Sequence, residues 1–255
     1  MAAPFHTSLQ SSIRVTSACT IRFTDDPGGS PSHSDFSIAA GTVYNSVDDL
    51  LTAWTAQLQA DLTSSHVVQR EKDIYAGAGA SDRVMVTTAG ANWSVVWSHA
   101  GDGDQVRDYL GASGDITNQP RYAPIGITPA AYRSTYAARI IQRGSSSRDR
   151  AQLTTISGAH RWQSSNSPGT VDRVDLEIVL WIGGSTTDHA SHEDLETWVD
   201  EVFNQGEPWS LYHNDSRWQC RFADSPLEIV PERAGGKSDQ LWEVRLAAVA
   251  EVTPW

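Results

Sequence analysis

The chain has 255 residues and a formal net charge of −12, with 39% hydrophobic and 20% charged residues. This composition supports a buried core and excludes a disordered polymer, and the negative charge argues against a nucleic-acid binder that neutralises phosphates. The sequence has no run of about 18 apolar residues, so we expect no transmembrane helix.

The first half begins with polar, aperiodic residues 1–12, which we predict to be an N-terminal arm without the features of a signal peptide. Residues 13–116 are predicted to form a β-rich accessory domain with a helix over 47–62. Ser46 supplies the N-cap of this helix, and an apolar stripe at helical spacing follows it. Strands are expected at 13–23, 36–38, 67–75, 83–88 and 93–99.

A proline-containing segment, residues 117–132, follows the first domain. It carries Pro120, Pro124 and Pro129 without any hydrophobic periodicity. We predict that it is a linker between the two domains.

Residues 133–255 are predicted to form a second domain on the same plan. Residues 136–143 and 151–163 are expected to form a long hairpin with a polar tip, and 173–182 alternates as a one-sided strand does. Ser191 and Asp194 predict the start of a helix over 192–205, and Gly206 predicts its end. Further strands are expected at 208–213, 218–222, 227–230 and 241–252.

One apolar stripe on this second helix is predicted to pack on the sheet: Leu195, Trp198, Val202 and Phe203. The expected fold class is therefore α+β and mainly β. It has two domains, each an antiparallel sheet or sandwich flanked by one amphipathic helix. Sheets covered on one side leave edges that can pair between copies.

Charge is unevenly distributed along the chain. Residues 133–173 hold seven arginines and two aspartates, a net charge of +5, so the remainder carries −17. We predict that Arg143, Arg148 and Arg150 reach an acidic surface of a neighbouring copy. Solvated arginines on exposed strands remain the alternative.

The sequence gives little indication of a disulfide, a metal site or a catalytic site. Cys19 and Cys220 are far apart and show no disulfide framework or metal-ligand spacing, so we expect free thiols and a reducing compartment. His189 and His192 lack a third ligand at motif spacing, and the acids around Asp104 lack a complete calcium loop. No metal, cofactor or catalytic group is predicted.

The stretch from Arg173 to Val252 has a distinctive order of elements. An alternating strand and a capped helix precede the sequence GEPWSLY (206–212), the strand WQCRF (218–222) and the closing strand LWEVRL (241–246). This order resembles the tail-tube fold of long-tailed bacteriophages, which occurs in tail tube subunits, distal tail proteins and related baseplate proteins. The resemblance implies that the second domain has a tail-tube-like fold.

The resemblance implies a non-enzymatic structural role in the virion tail, with synthesis in the host bacterial cytoplasm. It implies rings, often hexameric, around a channel through which DNA passes without specific binding. The expected partners are other copies and neighbouring tail proteins, with no membrane. The alternative function is a carbohydrate-binding receptor-recognition or hydrolytic module. That module would use exposed aromatic residues: Trp209, Tyr212, Trp218 and Trp242.

Overall fold

The computed structural model describes residues 7–72, 80–88, 92–134, 139–146, 151–154, 160–163, 173–182, 187–189, 191–213, 216–232 and 241–251. Antiparallel strands dominate these residues, so the chain is a mainly β protein of the α+β class, as the sequence predicts. None of the helices described is long and apolar enough to span a bilayer. The chain divides into two compact units. The first unit contains Gln10–Ala130, and the second contains residues 7–9 and those from Ala131 onward.

The first unit contains helices α1 and α2 and strands β2 to β10. Its elements in chain order are β2 (Ile13–Arg14), β3 (Cys19–Asp25), β4 (Ser32–Ile38), β5 (Val43–Tyr44), α1 (Val47–Asp61), β6 (Val67–Lys72), β7 (Ala80–Thr87), β8 (Trp93–Gly101), α2 (Asp104–Tyr109), β9 (Ile116–Gln119) and β10 (Tyr122–Ile127). They form a sheet in the order β4-β3-β8-β9, a second sheet in the order β10-β7-β6, and a β2-β5 pair.

Helix α1 closes the core of the first unit. The Ser46 hydroxyl caps it by accepting a hydrogen bond of 3.1 Å from the backbone N–H of Asp49. Its buried stripe consists of Val47, Leu50, Leu51, Trp54 and Leu58. Trp54 is fully buried and packs against Phe36 and Trp97, with ring centroids 6.1 and 5.8 Å away. The stripe therefore contacts aromatic residues of two strands of one sheet, β4 and β8.

The first unit also buries a charged network. Arg70 Nη1 donates to Asp82 Oδ1 at 2.9 Å, and Arg70 Nη2 donates to Gln10 Oε1 at 2.6 Å. Gln10 Nε2 donates to Asp82 Oδ1 at 2.8 Å and to Thr128 Oγ1 at 3.0 Å. Because all four side chains are buried, their hydrogen bonds offset the cost of removing them from water.

The N-terminal segment differs from the predicted arm. Thr7–Ser11 forms strand β1, which pairs with β11 (Tyr132–Ser134), and residues 7–10 are buried. Thr7 Oγ1 lies 3.0 Å from His213 Nδ1, and Gln10 belongs to the buried network. Polar side chains are buried here because their partners come from far along the chain, so the segment shows no apolar periodicity.

The predicted linker over 117–132 is mostly strand. It contains β9 and β10, and β10 pairs with β7 through residues Tyr122 to Ile127. Pro124 fits because β10 is the edge strand of its sheet and has a register shift between Pro124 and Gly126. The boundary between the two units falls instead after Ala130.

The second unit contains helix α3 and the remaining strands. After β1 and β11, its elements are β12 (Arg139–Ser146), β13 (Ala151–Thr154), β14 (His160–Gln163), β15 (Arg173–Ile182), β16 (Thr187–His189), α3 (His192–Gln205), β17 (Trp209–His213), β18 (Ser216–Glu232) and β19 (Leu241–Glu251). Eight strands form one sheet in the order β12-β15-β19-β18-β17-β1-β11-β16. Strands β13 and β14 form a separate pair.

This pairing corrects the predicted long hairpin of 136–143 with 151–163. Strand β12 pairs with β15, from Arg139 opposite Val179 to Ser146 opposite Arg173, whereas β13 pairs with β14. The β-branched pattern of these segments predicts strands but carries no information about which strands are partners.

Candidate assembly interface

Helix α3 is set on the sheet of the second unit by local signals at both ends. Ser191 Oγ accepts from the Asp194 backbone N–H at 3.1 Å, and Asp194 Oδ2 accepts from the Ser191 backbone N–H at 3.2 Å. This reciprocal capping box begins the helix, and Gly206, with φ of 64°, ends it in the left-handed conformation. The caps fix where α3 begins and ends, and its buried residues Leu195, Val199 and Val202 define the face that meets the sheet.

The predicted packing residues of α3 have different environments. Leu195 and Val202 are buried, and so is Val199. Trp198 is half-buried and makes edge-on contacts with Trp209 and Phe222, at centroid distances of 5.7 and 5.6 Å.

Phe203 departs from the prediction because its side chain is 41% exposed. At about 100° per residue, Leu195, Val199 and Val202 lie close to one line along the helix. Phe203 lies about 80° from Leu195 and in the last turn, which places it at the margin of the buried stripe.

The arginines of the interface hypothesis lie where the structure describes little. Arg148 and Arg150 are outside the described residues, and for Arg143 only the backbone, in β12, is described. Arg139, at the start of the same strand, has an exposed side chain. Residues 139–173, here called the arginine-bearing segment, thus begin at an exposed position on β12, an edge strand of the sheet in the described order. The role of this segment in assembly stays a prediction.

The face of the sheet opposite α3 carries a groove of about 320 Å³. On β15, Leu176, Ile178, Leu180 and Ile182 point into the core with α3. Alternation therefore directs Asp175 and Glu177 to the other face. The groove is lined by residues of three neighbouring strands: Asp175, Leu176, Glu177, Ala223, Glu228, Arg245, Leu246, Ala247, Ala248 and Val249.

Register brings the charged residues of the groove together. Asp175 is opposite Val249, Glu177 is opposite Ala247, and Glu228 is opposite Arg245. A register shift between Phe222 and Leu227 sets the last of these pairs. The signal for Asp175 and Glu177 was present as strand alternation, but the pairing of Glu228 with Arg245 depends on the irregularity in β18.

Arg245 is held within this acidic surface. Its Nε donates to Glu243 Oε1 at 2.6 Å, and its Nη1 lies 3.7 Å from Glu228 Oε2. The hydrogen bond to Glu243 and the negative charges of Glu243, Glu228 and Glu177 raise the pKa of the Arg245 guanidinium. Asp175 lines the same groove, so four carboxylates and one guanidinium give this surface a net negative charge.

The aromatic residues considered for sugar stacking do not form an open platform. Trp209 is fully buried and Tyr212 is 4% exposed. Trp218 and Trp242 are half-buried and pack against the core of the second unit. Sugar stacking needs an open aromatic face, so the described positions of these side chains disfavour that alternative.

The candidate metal ligands have other contacts. The His192 ring stacks on Trp242 at 4.2 Å, and its Nε2 lies 3.1 Å from Glu193. Asp104 pairs with Arg107 at 2.9 Å. Within the described residues, no three His, Cys, Asp or Glu side chains are close enough together to hold a metal ion.

Comparisons with protein-family models, curated proteins and solved structures found no match to this chain.

Proposed function

We propose that this chain is a structural protein of a long-tailed bacteriophage that forms stacked or terminal rings of the tail, as a tail tube or distal-tail adaptor protein. One observation carries the proposal. The stretch with the phage-tail resemblance folds as one continuous unit, in which β15, β19, β18 and β17 are successive neighbours in a sheet and α3 packs on its apolar face.

The sheet of the second unit has features suited to assembly. In the described order it ends at β12 on one side and at β16 on the other. The end strands of a sheet present N–H and C=O groups that can pair with another chain. Two different edges that pair head to tail generate a ring when the rotation closes. We infer a hexamer from the resemblance.

The charge of the chain is consistent with a channel for DNA. The net charge is −12, and the groove face of the second unit is acidic. Phosphates are repelled by such a surface, so DNA passes without being held. The proposed partners are therefore other copies and adjacent tail proteins, with neither a cofactor nor a membrane. The protein acts in the virion tail after synthesis in the host bacterial cytoplasm, and its role is structural, not enzymatic.

The proposal is tested by light scattering coupled to size exclusion, over a hundredfold range of concentration, with negative-stain imaging of the same fractions. We expect discrete rings with a central channel. When duplex DNA is added at physiological salt, we expect it to elute separately from the rings. A monomer at every concentration would contradict the proposal, and retention of that monomer on a polysaccharide resin would favour the sugar-binding alternative.

A further inference from the structure

The groove on the second unit has the chemistry of a surface that receives arginine side chains. Ala247 and Val249 are half-buried small apolar residues of the groove, while Asp175 and Glu228 are exposed acids beside them. An arginine combines a long apolar stem with a planar cationic head that binds carboxylates in a fork geometry. Ala247 and Val249 can therefore contact the apolar stem of an arginine, and Asp175 or Glu228 can bind its guanidinium.

The arginine already in the groove leaves this capacity largely available. Arg245 is bound closely to Glu243, at 2.6 Å, and only at 3.7 Å to Glu228. Asp175 makes no ion pair within the part of the chain that is described. Asp175 and Glu228 stand four residues apart along β19, opposite Val249 and Arg245, so each can bind a separate cation without displacing the contact of Arg245 with Glu243.

The chain itself contains one segment with complementary charge. Residues 139–173 hold six of its 17 arginines, and lysine contributes only two residues to the whole sequence. This segment begins at the exposed Arg139 on β12, which is an edge strand of the same sheet in the described order. We propose that the groove formed by Asp175, Glu177, Glu228 and Arg245 receives the arginine-bearing segment, residues 139–173, of a second copy of this chain.

This inference rests on the proposed ring assembly and specifies its subunit contact. In a ring, each copy offers its groove to one neighbour and its arginine-bearing segment to the other, so the contact is heterologous and repeats around the ring. Opposite charges fix the register of such contacts and suppress wrong pairings. Their strength falls with added salt because the Debye length is about 3 Å at 1 M.

Charge reversal tests the contact in the full-length chain. The groove variant carries Asp175→Arg and Glu228→Arg, and the segment variant carries Arg143→Glu, Arg148→Glu and Arg150→Glu. We expect each variant alone to need at least about tenfold more protein for half-assembly, since like charges then face each other. A matched control, Asp200→Arg with Glu201→Arg on exposed positions of α3, should shift that concentration less than about twofold.

An equimolar mixture of the two variants identifies which copy supplies the arginines. In the mixture, each reversed groove meets a reversed segment and each native groove meets a native segment, so assembly should recover to within about threefold of the parent. Recovery requires contact between copies, because within each variant chain the charges remain alike. Assembly is measured by mass photometry, and circular dichroism checks that each variant is folded.

The outcomes separate this inference from the proposed function. If the parent forms rings and both variants assemble as readily as the parent, the groove contact is overturned while the ring proposal stands. Impaired variants that do not recover on mixing also overturn the contact between copies. If the groove variant does not fold, Asp175→Asn with Glu228→Gln replaces it and should raise the half-assembly concentration at least about threefold. A parent that stays monomeric overturns both proposals.

Discussion

The two units place their charged residues in opposite environments. In the first unit, Arg70 and Asp82 are buried, 4% and 3% exposed, and join side chains from separate strands. In the second unit, Arg245 and Glu228 lie on an open sheet face, 42% and 65% exposed. A buried pair is costly to disrupt, whereas an exposed pair contributes little to folding. The charged pair of the first unit is therefore part of its core. The charged residues of the second unit are exposed and are available to bind another molecule.

The helices of the two units also differ in how deeply they are buried. Helix α1 buries five residues, including the whole side chain of Trp54. Helix α3 buries Leu195, Val199 and Val202, while Trp198 is half-buried and Phe203 is 41% exposed. One amphipathic pattern thus gives a helix enclosed by its core in one unit and a helix at the surface in the other. Four substitutions can test this comparison.

Replacing the central tryptophan of each helix should produce the largest difference between the units. We expect Trp54→Ala to lower the free energy of unfolding by about 3–5 kcal/mol, as for other fully buried aromatic residues. Trp198→Ala should cost about half as much, roughly 2 kcal/mol, because less area leaves water on folding. Urea titration followed by hydrogen exchange of the α1 and α3 amides resolves the two units. Equal losses would contradict the comparison.

These tryptophans also mark what the sequence could predict. Both helices were predicted within a residue of their bounds, because Ser46, Ser191, Asp194 and Gly206 act on the backbone within a few residues. The degree of burial could not be read from the same pattern. Trp54 is enclosed by Phe36 and Trp97, which come from strands that flank it at a distance in sequence.

Disrupting the buried network should have the next largest effect. Asp82→Asn keeps the shape of the side chain but removes the buried carboxylate that pairs with Arg70, whose Nε also lies 3.5 Å from Asp48. We expect a loss of about 3 kcal/mol in the first unit, the lower end for a broken buried ion pair. The control is the double variant Arg70→Met with Asp82→Leu, which removes both charges and should lose less than the single variant. A double variant that is less stable than Asp82→Asn would mean that the hydrogen bonds, and not charge balance, dominate.

This network shows why parts of the fold were missed. Gln10 comes from a predicted arm, Asp82 from the position just before a predicted strand, and Thr128 from a predicted linker, and only the folded chain brings them together. Polar residues without periodicity usually indicate loops, yet β1 is a strand because distant partners satisfy its side chains. Strand β10 is apolar, with Ala123 and Ile125 buried, and its proline suggested a linker although an edge strand with a register shift accommodates it. The groove was hidden for a related reason, since the pairing of Glu228 with Arg245 follows from the register shift in β18.

The smallest expected effect concerns the free thiol in the core of the second unit. Cys220 is fully buried, and burial raises the pKa of its thiol. In the unfolded chain the thiol ionises above about pH 8.5. Between that value and the raised pKa, the native thiol keeps a proton that the unfolded chain has lost. The native state is therefore the more protonated one, and stability falls as pH rises.

The expected slope is about 1.4 kcal/mol per pH unit for this one group. Cys220→Ala should remove that slope from the second unit between about pH 8.5 and 10, and it should also lower stability by an amount that does not depend on pH, because a buried sulfur atom is lost from the core. Subtracting the variant's curve from the parent's isolates Cys220 from other groups that titrate there. Cys19 in the first unit serves as the comparison, because burial and then the charge of Asp102 also raise the pKa of its thiol. If Cys220→Ala leaves the alkaline slope of the second unit unchanged, the thiol ionises in the native state, and this core is more open to water than the core of the first unit.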